Sequence, residues 1–158
     1  MSNFMLSAEE REAIQHERSH YENPRAASIE ALKIVQQRRG WVSDDAIKAI
    51  APLLNMSPAE LDEVATFYSL IFRLPVGKHV IKVCDSVSCY LTGYEQLKSA
   101  LEQKLGVRCG QTTPDDRFTL LPICCLGACD KGPCLMVDDD LHGPLTPSGI
   151  DAMLERYP

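Results

Sequence analysis

The first 83 residues of this 158-residue chain contain no cysteine, and all seven cysteines fall between Cys84 and Cys134. No stretch approaches the roughly 20 apolar residues of a membrane span. The opening Met-Ser-Asn-Phe-Met-Leu-Ser-Ala-Glu-Glu lacks a basic segment and turns acidic before any apolar run develops, so it does not read as a secretory signal. Neither G-x-G-x-x-G nor G-x-x-x-x-G-K-[ST] occurs, which leaves no basis for this chain itself to bind NADH, flavin or nucleotide. No acid–base or nucleophile constellation stands out either. Nine glycines, ten prolines and 24% charged residues are ordinary, which excludes disordered and fibrous classes. Basic residues are the scarcer sign, 16 against 22 acidic, and a net charge of −6 argues against nucleic acid or an anionic membrane surface as the main partner. The length allows one domain or two small ones and buries about two-thirds of the unfolded surface, so folding needs no staples. The chain reads as cytoplasmic, where thiols stay reduced. A clustered, odd number of cysteines there points to metal or redox chemistry rather than disulfides.

What the first 76 residues do contain is helix signals. Ser7-Ala-Glu-Glu10 is a capping box, in which hydroxyl and carboxylate satisfy N–H groups that the first turn leaves unpaired. Ile14 is the only large apolar residue of the helix that follows, which predicts a solvated or partner-facing arm. Pro24 suits the first turn of a second helix and Gly40 its left-handed end, with Ala27, Ala31, Leu32 and Val35 as its stripe. A third starts at Ser43, with Ala46, Ile47, Ile50 and Leu54 on one face and Pro52 as a kink. The fourth has Ser57 as cap, Pro58 at the first position and Glu60 completing the box, then Leu61, Val64, Ala65 and Tyr68 at helical spacing. Four short amphipathic helices pack as a bundle.

From Gly77 the period changes. His79–Cys84 reads as a strand, Tyr94–Leu105 as a helix stopped by Gly106, and Phe118–Leu121 and Leu135–Val137 as strands. Asp138–Asp140 is a turn, a short strand lies near Leu145, and Thr146-Pro147 opens a last helix through Met153 and Leu154. The order β-α-β-β-α predicts a sheet with helices beside it, in the thioredoxin manner. Acidic and basic residues stand at 11 against 8 on each side of Gly77, so the halves differ by cysteine and not by charge. The fold class is α+β: a helical bundle over residues 1–76, then a thioredoxin-like domain over 77–158.

Cys84 and Cys89 form C-x4-C at the end of the first strand, and Cys124-Cys-Leu-Gly-Ala-Cys129 follows the second. Two such loops offer four thiolates in two pairs. Zinc sites favour tighter spacing, because one small ion takes both sulfurs of a pair. A 2Fe–2S cluster is larger, and C-x4-C suits it. Its net charge of about −2, or about −3 once reduced, calls for N–H donors, and Gly127 lets the backbone approach the sulfurs. Spacing alone leaves three accounts open: a 2Fe–2S cluster, which it favours, a structural zinc ion, and reduced core or redox-active thiols.

Cys84-x4-Cys89, a 35-residue gap and Cys125-Leu-Gly-Ala-Cys129 together resemble the thioredoxin-like 2Fe–2S subunit of NADH:quinone oxidoreductase, the E subunit of bacterial respiratory complex I. The resemblance extends to Gly40-Trp41-Val42, Ala65-Thr-Phe-Tyr-Ser69, Gly77–Cys84, Phe118-Thr-Leu120 and Leu145-Thr-Pro147. It implies cluster ligands at Cys84, Cys89, Cys125 and Cys129. It also implies single-electron exchange with the flavin of a partner F subunit that binds FMN and NADH, a neighbouring iron–sulfur G subunit, and a place in the peripheral arm on the cytoplasmic side of the inner membrane. The chain would be a non-substrate-binding subunit of that enzyme, without membrane insertion, and the helical half would dock it. The same module also fits a soluble NAD-linked formate dehydrogenase or hydrogenase, and a zinc-stabilised thioredoxin-like binding module is the alternative from another class. Three positions depart from the family pattern: Cys124 stands where Glu is common, Ser86-Val87-Ser88 precedes Cys89 in place of the frequent Thr-Pro, and Asp130-Lys-Gly-Pro133 replaces Gly-x-Ala-Pro. Cys124 and Cys125 thus compete for one role, which the family spacing gives to Cys125.

The remaining candidates have plainer accounts. Cys109, Cys124 and Cys134 read as small buried hydrophobes. His79 and His142 lie outside the cysteine loops, Asp138–Asp140 lacks the spacing of a calcium loop, and Ala65–Ser69 reads as helix core or as a docking segment.

Overall fold

The computed structural model describes residues 4–158 and divides into two compact units, Met1–Pro75 and Val76–Pro158.

In the first unit, α1 (Ala8–Arg18) opens on the Ser7 capping box: the Glu10 N–H donates to Ser7 Oγ at 3.1 Å and the Ser7 N–H to Glu10 Oε2 at 2.8 Å. A tight helical turn at Pro24–Ala27 leads into α2 (Ser28–Arg39), which Gly40 ends at φ +82°. Next come α3 (Asp44–Ile50), capped by Ser43, a turn at Ala51–Leu54 that contains Pro52, and α4 (Pro58–Phe67) with its Ser57–Glu60 box. Ala31, Leu32, Val35, Ile47, Ile50, Leu54 and Leu61 meet in the core. The polar α1 is not a solvated arm. Ile14 is fully buried in that core, and Arg39 Nε donates to the buried Glu10 carboxylate at 2.6 Å, with a second Arg39 nitrogen on its other oxygen. Counting apolar residues missed the burial of this helix because a charged residue supplies half of its buried face. Gln36 ties the segment after α4 to α2, donating to the Leu70 carbonyl at 2.8 Å and accepting from the Phe72 N–H at 2.6 Å. Ala65 is buried, but Phe67 is 80% and Tyr68 43% exposed.

The second unit holds β1 (His79–Cys84), α5 (Val87–Thr92), α6 (Tyr94–Leu105), β2 (Phe118–Ile123), β3 (Leu135–Val137), β4 (Asp140–His142) and α7 (Ile150–Leu154). The sheet order is β2-β1-β3-β4, with β1 and β2 parallel and the other pairs antiparallel. Leu97 and Leu101 of α6 and Ile150 and Met153 of α7 pack with Ile81, Leu120 and Leu135 of the sheet, so helices cover the strands as the β-α-β-β-α order requires. Arg117 donates to the carbonyls of Tyr157 at 2.7 Å and Leu154 at 2.9 Å, tying the segment after α7 to the start of β2. Two details differ from expectation. The short strand is Asp140–His142 rather than a segment near Leu145, and the short helix α5, with Cys89 inside it, forms where no helix is expected. The register pairs Cys84 with Ile123, so both cysteine loops leave the same end of two adjacent parallel strands.

Candidate metal centre

Cys84 is the last residue of β1 and Cys89 lies in α5, both buried. Cys134, just before β3, is buried beside them because β3 pairs with β1, and the Cys84 N–H donates to the Cys134 carbonyl at 3.2 Å. The three sulfurs lie within 4.8 Å of one another, with Cys89 and Cys134 3.6 Å apart. All seven cysteines are free thiols.

The second loop starts where β2 ends. Cys124, Cys125 and Cys129 are exposed on it, while Ala128 is buried against Cys84, Cys89 and Cys134. Gly127 adopts φ +72°, a left-handed conformation that side chains disfavour, and its N–H donates to Cys125 Sγ at 3.3 Å. Burial raises the Cys84 thiol, but backbone N–H donation from Ser86, the thiol of Cys89 and the Leu126 N–H together outweigh it and leave Cys84 below the usual thiol range. Burial holds Cys89 above that range and, with the Cys89 contact, pushes Cys134 up to about 12.

The sequence-derived ligands therefore fall into two groups. Cys84 and Cys89 are brought together in the buried floor, whereas Cys125 and Cys129 sit on the exposed loop above them. Cys134 joins the floor, which spacing alone could not show; the signal was its position before a strand that pairs with the Cys84 strand. Of the other cysteines that read as buried hydrophobes, Cys109 is half-buried and Cys124 is exposed. Donor chemistry fits an anionic iron–sulfur group: thiols from two facing loops, and N–H groups of Ser86, Leu126 and Gly127 directed at sulfur, the arrangement that stabilises thiolate charge. His79, His142 and the acidic turn are engaged elsewhere. His79 Nδ1 is 2.7 Å from Asp138 Oδ2, Tyr157 donates to Asp140 Oδ2 at 2.8 Å, and His142 Nε2 lies 2.7 Å from the Tyr157 hydroxyl.

Residues 14–158 match the model of the thioredoxin-like [2Fe-2S] ferredoxin family. The chain is 63% identical to the E subunits of the NADH-quinone oxidoreductases of Salmonella typhimurium (strain LT2) and Escherichia coli (strain K12), over 98% of this chain and 93% of each relative. It is 58% identical, with the same coverage, to the E subunit of the Pseudomonas aeruginosa enzyme. Among solved structures it is similar in fold to an NAD+-reducing [NiFe]-hydrogenase in the H2-reduced state, with a TM-score of 0.71 and 24% identity over 83% of this chain and 22% of that one. The match over most of the chain shows that it belongs to the thioredoxin-like [2Fe-2S] ferredoxin family, with one 2Fe–2S cluster as its cofactor.

Proposed function

We propose that this chain is the 2Fe–2S electron-transfer subunit of an NADH:quinone oxidoreductase, held by Cys84, Cys89, Cys125 and Cys129 to its cluster and by its helical unit to the rest of the enzyme. The observation that carries this reading is 63% identity across nearly the full length of relatives named as the E subunit of that enzyme. Bound there, the cluster takes up and gives out one electron at a time. Cys84 and Cys89 anchor it from the buried side, and Ser86, Leu126 and Gly127 direct N–H groups at sulfur. Ala128 helps close that side to water, while the exposed Cys125–Cys129 loop presents the other side to a partner.

A one-electron centre without a nicotinamide site needs a partner that handles the two-electron donor. That partner is a flavin- and NADH-binding F subunit, with an iron–sulfur G subunit adjoining, in the peripheral arm on the cytoplasmic side of the membrane. Among the described residues no helix is long and apolar enough to cross a membrane. Phe67, Leu70 and Leu74 stand exposed on the first unit, which supports docking as its role. Purification through a tag on this chain should recover a flavin-containing subunit, and NADH should reduce the cluster within that complex. Recovery of the chain alone, or a cluster that NADH leaves oxidised, contradicts the reading.

A further inference from the structure

At the C-terminal end of α1, far in sequence from every cysteine, His16-Glu17-Arg18-Ser19-His20 spells the pattern H-E-x-x-H. In metalloproteases that pattern lies within a helix lining a cleft, with two histidines on zinc and the glutamate as general base. Here its surroundings differ. The helix ends at Arg18, but Ser19 keeps right-handed helical dihedrals, its N–H reaches back to the Gln15 carbonyl at 3.1 Å, and the His20 N–H reaches Glu17 at 3.1 Å. The helical path thus continues far enough to stack His16 and His20 one turn apart on the same face, their rings in edge contact at 4.7 Å. The side chains of His16 and His20 are 69% and 53% exposed, so no cleft encloses a substrate. Glu17 faces the imidazoles instead of a substrate, with Oε1 3.8 Å from His16 Nδ1 and Oε2 3.6 Å from His20 Nδ1.

We infer that His16, Glu17 and His20 form a surface site for a divalent borderline metal ion, zinc foremost, with water in the fourth position. Three observations support it. One ligand atom from each residue already lies within 4.8 Å of the others. Bonds of about 2.0–2.1 Å in tetrahedral geometry need donors roughly 3.4 Å apart. The required closure is at most about 1.4 Å, which surface side chains make by small rotations without disturbing the backbone. Two imidazoles and one carboxylate suit zinc, nickel or copper, whereas magnesium and calcium call for oxygen donors throughout. The C-terminal end of a helix also carries partial negative charge, which favours a cation there, and Arg18, two positions from each histidine, projects from another face.

The site is independent of the cysteine centre, and its test keeps that centre filled. Zinc is titrated by calorimetry into the full chain with its 2Fe–2S cluster in place while the cluster's visible absorption is followed. Loss of an outer-shell partner alone weakens metal sites by about 10–100-fold, so loss of a ligand costs at least as much. One-to-one binding is expected, weakened at least about tenfold in His16→Ala and in His20→Ala and by less in Glu17→Gln, whose neutral amide oxygen remains a weaker donor, with cluster absorption unchanged. All three side chains lie on the surface, and far-UV circular dichroism of each variant should match the parent. Absence of saturable binding, equal binding by the histidine variants, or zinc uptake that bleaches the cluster overturns the inference.

Discussion

Replacing Arg39 by Met tests whether a buried ion pair is what fixes α1 to the bundle. Glu10 is 2% exposed, whereas Arg39 is one-third exposed. The guanidinium engages both carboxylate oxygens. Removing one partner of a fully buried pair costs about 3–5 kcal/mol, and hydrogen bonds to charged groups are worth about 1.5–3 kcal/mol. Partial exposure of Arg39, and the N–H of Ser7 that still serves Glu10, place the expected loss at the lower end, about 2–3 kcal/mol. With a urea dependence of about 1–3 kcal/mol/M, the midpoint of the first unit's transition should fall by about 1–2 M, read by far-UV circular dichroism. The neighbouring Arg38–Glu9 pair, both partners well exposed, is the internal control; Arg38→Met should cost under about 0.5 kcal/mol. The pH dependence has a definite sign. The Arg39 hydrogen bond, set against burial, holds Glu10 below the usual carboxylate value, so the unfolded chain binds the extra proton first. The pair's contribution is complete above about pH 5 and is lost as the pH falls through the lowered folded value. The stability gap between parent and Arg39→Met should therefore narrow on acidification. A gap under about 0.5 kcal/mol at neutral pH, or one that widens in acid, refutes the reasoning.

Three further predictions concern the second unit. A Cβ on Gly132 would sit 2.8 Å from Thr92 Oγ1 and 3.5 Å from Cys89 Sγ, so Gly132→Ala should lower iron and sulfide content per chain, and adding Thr92→Ala should restore part of it. Gly127→Ala meets no neighbour but must hold φ +72°, a strain of about 1–2 kcal/mol. Chelator should then strip its cluster at least about fivefold faster than in the parent. Arg117→Met removes the two side-chain hydrogen bonds to the carbonyls of Tyr157 and Leu154 and should lower unfolding stability by about 1–2 kcal/mol, with cluster content unchanged.

The parts legible in the sequence were those set by local chemistry. Ser7, Ser43 and Ser57 cap helices, Gly40 and Gly106 end them in left-handed geometry, and β1 and α6 run between the expected residues, because caps and period act within a few positions. What escaped was set by distant partners. Arg39 lies 29 residues from Glu10, so the burial of α1 leaves no trace in its own apolar count. Cys134 joins the cysteine floor through the pairing of β3 with β1, a register that no local spacing encodes. Tyr68 continues the apolar spacing of α4, yet the helix ends at Phe67 and Tyr68 turns to extended backbone, leaving the ring half exposed. Helix α5 is one and a half turns of Val-Ser-Cys-Tyr-Leu-Thr, too short to show a period.

The central claim is that Cys84, Cys89, Cys125 and Cys129 hold one 2Fe–2S cluster while the other three thiols do not. Its most direct test is the electron paramagnetic resonance spectrum, with iron and zinc analysis, of anaerobically reconstituted and reduced protein carrying single Cys-to-Ser replacements. A spin-half signal with two irons per chain is expected for the parent and for Cys109→Ser, Cys124→Ser and Cys134→Ser, and its loss or marked alteration for Cys84→Ser, Cys89→Ser, Cys125→Ser and Cys129→Ser. A colourless parent holding a single zinc, or a signal that survives Cys125→Ser and disappears in Cys124→Ser or Cys134→Ser, would contradict the claim.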